Sequence, residues 1–124
     1  MNPRAPRSEL ARIIYATHNS VKGYRRVWLD EAAFRTQIVV LIAILPAAAW
    51  LAQSWFRFGV LVAAWLLVLV AELGNSAIEA AVDRVGREHH DLTAKAKDAG
   101  SAMVMTSMIV AALVWLMAIV ERFG

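Results

Sequence analysis

Cysteine is absent from the 124 residues, which excludes a disulfide framework and a thiolate metal site. Proline is scarce. Two of its three occurrences, Pro3 and Pro6, lie in the first few positions, so Pro46 alone is expected to put a mild kink in the interior. None of the six glycines falls in a Gly-x-x-x-x-Gly-Lys-Ser/Thr or Gly-x-Gly-x-x-Gly pattern, which excludes soluble folds built on a phosphate-binding loop. Charge is missing over long stretches. Residues 36–56 and 100–120 carry none over 21 positions each, and the 25 positions of 58–82 are interrupted only by Glu72 and Glu79. No internal repeat or low-complexity segment is visible.

What remains is an apolar chain, 60% hydrophobic, with a net charge of only +3. About 20 apolar residues cross a bilayer, so the three long runs predict three membrane spans. A soluble bundle needs a polar face on each helix, and these runs leave none. The expected organisation is one membrane domain over 1–124: a surface helix over about 8–30, spans over about 35–56, 58–84 and 99–121, and a loop over 85–98. Seven of the thirteen basic residues lie within the first 35 positions, and Arg84, Arg87, Lys95 and Lys97 follow the second span. The positive-inside rule then places the N-terminus and the 83–99 loop in the cytoplasm and the C-terminus outside. The basic N-terminal region is assigned to an anionic membrane surface rather than to nucleic acid. The late start of the first apolar run argues against a cleavable signal peptide.

Between Ser8 and Asp30, Leu10, Ile13, Ile14, Val21, Tyr24 and Trp28 recur at helical spacing, and Arg12, Asn19, Lys22 and Arg26 take the other side. Ser8 can cap such a helix, with Glu9 in its first turn. It is expected to lie in the headgroup plane. Its role is open between simple anchoring and a contribution from Arg12 and Glu31.

Glu72, Asn75, Glu79 and Asp83 fall on one helical stripe, at offsets of about 3, 7 and 11 residues. A carboxylate in the hydrocarbon layer costs several kcal/mol unless paired, hydrated or metal-bound, so this stripe marks a site. Glu72 and Glu79 are about 10 Å apart along the axis at about 1.5 Å per residue. The deeper Glu72 suits proton transfer, and the shallower Glu79 suits a hydrated ion. Asn75 can orient either carboxylate or a substrate hydroxyl. Asp83 and Arg84 are read either as an interfacial pair or as part of the site. Three chemistries fit: a proton or cation pathway, a buried polar cluster that holds an oligomer together, or Mg²⁺-dependent phosphoryl transfer. For the last, Glu79 and Glu31 would supply carboxylates, with Lys95 and Lys97 near the phosphates. The adjacent His89 and His90 are not spaced for a zinc site. The methionines of the third span read as packing or lipid-facing residues.

ELGNSAIEAAVDR (72–84) resembles the signature of the small integral-membrane diacylglycerol kinases of bacteria. The resemblance extends to RIIYATHNSVKG (12–23), WLDEAAFR (28–35) and AKDAGSA (96–102), and covers about residues 12–120. It implies an all-α homotrimer of three-span subunits in the bacterial inner membrane, each with an N-terminal amphipathic surface helix. It implies Mg²⁺, ATP from the cytoplasm and diacylglycerol from the bilayer, and direct transfer to make phosphatidic acid. By matching position, Glu72 is the general base and Glu31 and Glu79 hold the metal. Arg12, Glu31, Glu79, Glu88, His89, His90, Lys97 and Asp98 meet the nucleotide, as would Asn19. Ser20, Glu72, Asn75 and Ser101 line the site, with Trp50 and the 33–37 region, Arg35 included, toward the lipid. Undecaprenol phosphorylation on the same fold, or a small proton-coupled transporter, are the alternatives. Two positions depart from the family pattern. Gly74 stands where the signature has an aliphatic residue, and Asn19 replaces an aromatic one.

Overall fold

The computed structural model describes residues 8–86 and 90–124. The described chain is helical: α1 (Glu9–Asp30), α2 (Ala32–Leu51), α3 (Trp55–Val85) and α4 (Asp91–Phe123). It falls into two compact units, one ending at Ala32 and one running from Ala33 to Gly124.

The first unit is α1. The Ser8 hydroxyl accepts the Ala11 N–H at 3.2 Å, satisfying one of the donors that a helix start leaves open. Glu9 in the first turn pairs with Arg12 at 2.8 Å. The helix ends where Glu31 turns to extended backbone (φ −126°, ψ 115°), its N–H still donating to Val27. No residue of α1 is buried, and Leu10, Ile13, Ile14 and Tyr24 are exposed.

The second unit holds three helices long and apolar enough to cross a membrane, α2, α3 and α4. Pro46 is accommodated inside α2. One stripe of α3 is buried, through Leu61, Val68, Glu72 and Ser76. α4 buries only Gly100, Ser107 and Ala111. Small residues at such contacts let backbones approach, the main source of helix association where lipid is as apolar as the side chains. The Trp115 indole N–H donates to the Leu61 carbonyl at 3.2 Å, and Ala48 and Leu51 of α2 pack with Leu61.

Two ion pairs tie α3 to α4 at opposite ends: Lys97–Asp83 at 2.8 Å and Arg57–Glu121 at 2.6 Å. Along the axes they stand about 36–39 Å apart, from a rise of about 1.5 Å per residue. That interval holds a hydrocarbon core of about 30 Å between two charged ends. Glu72 then lies about 16 Å from the Asp83 end and about 22 Å from the Arg57 end.

The elements differ from expectation at two boundaries. α2 stops at Leu51, because the Ser54 hydroxyl caps the next helix by accepting the Arg57 N–H at 3.1 Å. The expected 85–98 loop is shorter. His90 Nδ1 accepts the Leu92 N–H at 3.0 Å and starts α4 at Asp91. Lys95, Lys97 and Asp98 therefore ride on a rigid helix.

Candidate active site

Glu72 is 6% exposed on the α3 stripe that faces its neighbours. The Gln37 side-chain amide of α2, itself 7% exposed, donates to Glu72 Oε1 at 3.5 Å. The Trp65 indole, two turns before Glu72 on the same side of α3, donates to the Gln37 backbone carbonyl at 2.9 Å. Residue 37 is thus gripped from α3 at two levels, by its backbone and by its amide.

Asn75 follows one turn after Glu72. Among the described residues, Asn75 Oδ1 and Ser76 Oγ are buried without a hydrogen-bond partner. Leaving such an atom unmet costs about 1–3 kcal/mol, and unmet polar atoms beside a buried carboxylate fit a polar ligand group. Gly100 of α4 makes the room, since a Cβ there would overlap Asn75 Oδ1. Gly74, the departure from the signature, has a softer neighbour: a Cβ would lie 3.1 Å from the terminal methyl of Met103.

Toward the charged end, Glu79 is half-buried. Asp83 pairs with Lys97 across α3 and α4, both side chains substantially exposed. The Lys97 ammonium feels Asp83 first and Glu79 more weakly. Of the two readings of Asp83 and Arg84, an interfacial pair or a part of the site, neither is decided by this cross-helix contact, in which Asp83 meets Lys97; adjacent positions on a helix do not face each other.

The remaining expected site residues separate by element. Arg12, Asn19, Ser20 and Glu31 belong to the α1 unit. The Ser20 hydroxyl donates to its own helix at the Ala16 carbonyl, 3.0 Å, and the Arg12 pair with Glu9 is exposed, so it is held weakly. Arg35 is half-buried on α2, and Asp98 and Ser101 are exposed on α4. His90 serves as the α4 cap. Glu88 and His89 lie outside the described residues. Trp50 stacks on Phe123 with ring centroids 5.6 Å apart, about 20 Å along α2 from Gln37. It is not brought to the carboxylate stripe. Apolar cavities of about 220 and 380 Å³ also open at that far end, against Gln53, Phe56 and Arg57 and against Ser54, Trp55 and Phe58. Sequence reasoning missed Trp65 and Gly100. It placed Gln37 within a 33–37 region near the lipid and did not anticipate its contact with Glu72.

Residues 18–119 match the family model described as prokaryotic diacylglycerol kinase. The chain belongs to that family. It is 42% identical over 113 residues to the diacylglycerol kinase of Escherichia coli (strain K12), covering 91% of this chain and 93% of that one. It is 39% identical over 114 residues to the diacylglycerol kinase of Pseudomonas aeruginosa, covering 92% and 93%. The Haemophilus influenzae diacylglycerol kinase is 34% identical over 106 residues, covering 86% and 90%. The site thus offers a carboxylate buried between helices and a carboxylate–lysine pair further along α3.

Proposed function

We propose that this chain transfers the γ-phosphate of ATP directly to the free hydroxyl of diacylglycerol, giving phosphatidic acid and ADP. The observation that carries the reading is the polar stripe of α3. It leads from a buried, hydrogen-bonded Glu72 past the unmet Asn75 oxygen to Glu79 and the Asp83–Lys97 pair. The lipid hydroxyl oxygen bonds to the γ-phosphorus, the bond from that phosphorus to the bridging oxygen of ADP breaks, and the hydroxyl proton passes to Glu72. Asn75, one turn along α3 from Glu72, is placed to orient the substrate hydroxyl. Lys97 exchanges Asp83 for phosphate oxygens, a weak exposed pair being cheap to break.

Glu79 and Glu31 are the carboxylates proposed to hold Mg²⁺. Mg²⁺ is commonly held by one or two carboxylates together with substrate phosphates. When bound, the ion neutralises charge on the phosphates and orients them. Arg12, Asn19, Glu88, His89, His90 and Asp98 are assigned to the nucleotide, and Ser20, Arg35, Trp50 and Ser101 to lipid or the site wall. The surface helix and spans are proposed to act as one membrane domain in the bacterial inner membrane, with the N-terminus cytoplasmic and α1 in the headgroup layer. Exposed small residues of α3 and α4, including Ala77, Ala80, Ala81 and Ala102, favour close helix contacts between subunits, in keeping with a homotrimer.

The test is transfer of labelled phosphate from Mg-ATP in mixed micelles offering diacylglycerol and undecaprenol together. Labelled phosphatidic acid supports the reading. Labelled polyprenyl phosphate moves the substrate, and no labelled lipid removes the kinase.

The two glycines give a paired prediction. Gly100→Ala forces the Asn75 amide to shift, and displacement of about 1 Å at a reacting centre can cost as much as a hundredfold. A fall in kcat of at least tenfold (about the middle of that range on a log scale) is expected. Gly74→Ala meets only the movable end of Met103 and gains up to about 1 kcal/mol of helix propensity. Its turnover should match the parent, with equal or higher thermal stability in detergent.

A further inference from the structure

We propose that Gln37 is a positioning residue for Glu72: its side-chain amide holds the carboxylate in the orientation from which it takes the lipid proton. This rests on the reading of Glu72 as the general base.

Gln37 is a polar side chain placed in a span, and it is buried there, where a polar group is retained only if it is hydrogen-bonded. Its amide bonds to the buried carboxylate of Glu72 at 3.5 Å. Its backbone is also fixed. The Trp65 indole donates to the Gln37 carbonyl at 2.9 Å, in addition to any bond inside α2, and so joins α2 to α3 at this position. Trp65 and Glu72 are seven positions apart, which returns to nearly the same side of a helix. The indole therefore anchors the very position whose amide reaches the carboxylate. A neutral amide is suited to this task. It donates a hydrogen bond that can orient the carboxylate and carries no charge of its own. A Glu side chain has rotatable bonds in which a small error misdirects the lone pair, and such errors are costly where the reacting atoms must meet at about 3–3.5 Å.

The alternative is that the bond only glues α2 to α3. Gln37→Met keeps the length and volume of the side chain, suits a membrane interior and removes the donor. Gln37→Asn keeps the donor and withdraws it by one methylene. Both are made in the full chain and assayed in mixed micelles with Mg-ATP and diacylglycerol, alongside thermal denaturation in detergent and a parallel Glu72→Gln variant. The expected result is a fall in kcat of about tenfold to a hundredfold in both Gln37 variants, with KM for ATP and for lipid within twofold of the parent. Full kcat in both, with or without a lower melting temperature, overturns the positioning role. If Glu72→Gln is inactive in that same experiment, the base reading survives and only the positioning fails. If Glu72→Gln turns over normally, the base reading falls and the positioning proposal falls with it.

Discussion

Glu72→Gln should fold, assemble and bind Mg-ATP as the parent does, and lose turnover by a factor of about 10²–10⁴, the range that a positioned general base contributes. Glutamine keeps the shape of the side chain and can still accept a hydrogen bond from Gln37 through its carbonyl oxygen. What it cannot do is take a proton. Stability should not fall, because burying an ionised carboxylate in hydrocarbon is costly and a neutral amide relieves that cost. A variant at least as stable as the parent, with intact nucleotide binding and dead chemistry, separates a base from a structural carboxylate. The reverse pattern, in which turnover survives and the assembly in detergent is lost, would make Glu72 a buried polar contact between helices and remove it from the chemistry. Single-turnover measurement with prebound Mg-ATP is the readout, since it excludes a change in substrate affinity.

The sequence is informative about Glu72 because a charge in a long apolar run is rare and costly, and helical spacing alone relates it to Asn75, Glu79 and Asp83. The spans are legible for the same reason, as uncharged runs of bilayer length. The link from Gln37 to Glu72 is hidden because an uncharged polar residue does not interrupt such a run. Its partner is 35 residues away in sequence, and helical periodicity within a segment says nothing about which face of one span meets another. Gly100 illustrates the same limit. Gly74 draws attention by departing from the signature, yet its neighbour is a movable methionine end, while the ordinary-looking Gly100 sits against the Asn75 amide. The Asp83–Lys97 pair required knowing that α3 and α4 run antiparallel with these two positions level. The N-terminal part of α4 was misjudged because charge density reads as loop, whereas Lys is a good helix former and the His90 cap supplies a start.

Glu79→Gln should raise the Mg²⁺ concentration needed for half-maximal activity by more than about tenfold to a hundredfold, the loss typical for removing even an outer partner of a bound metal. The argument is one of donor scarcity. In the proposed site Mg²⁺ would draw on one or two protein carboxylates, with phosphates supplying the rest. Removing one oxygen donor set leaves Glu31 alone, and the deficit can be met only by mass action at high Mg²⁺. Glu31→Gln should behave alike. Asp83→Asn supplies the contrast, since it lies one turn further along α3 and releases Lys97 from its ion pair without touching the proposed ligand. That change should leave the Mg²⁺ requirement near the parent value and shift the KM for ATP instead, because its effect passes through a cation aimed at phosphate. A metal titration of all three variants therefore sorts the carboxylates by role. An unchanged Mg²⁺ requirement in Glu79→Gln, or a rise in Asp83→Asn as large as in Glu79→Gln, would reassign the metal to another part of the stripe. Lys97 makes the comparison sharp, since Glu79 and Asp83 both act on it electrostatically. An effect routed through that lysine would appear in both variants, and an effect routed through the metal only in one.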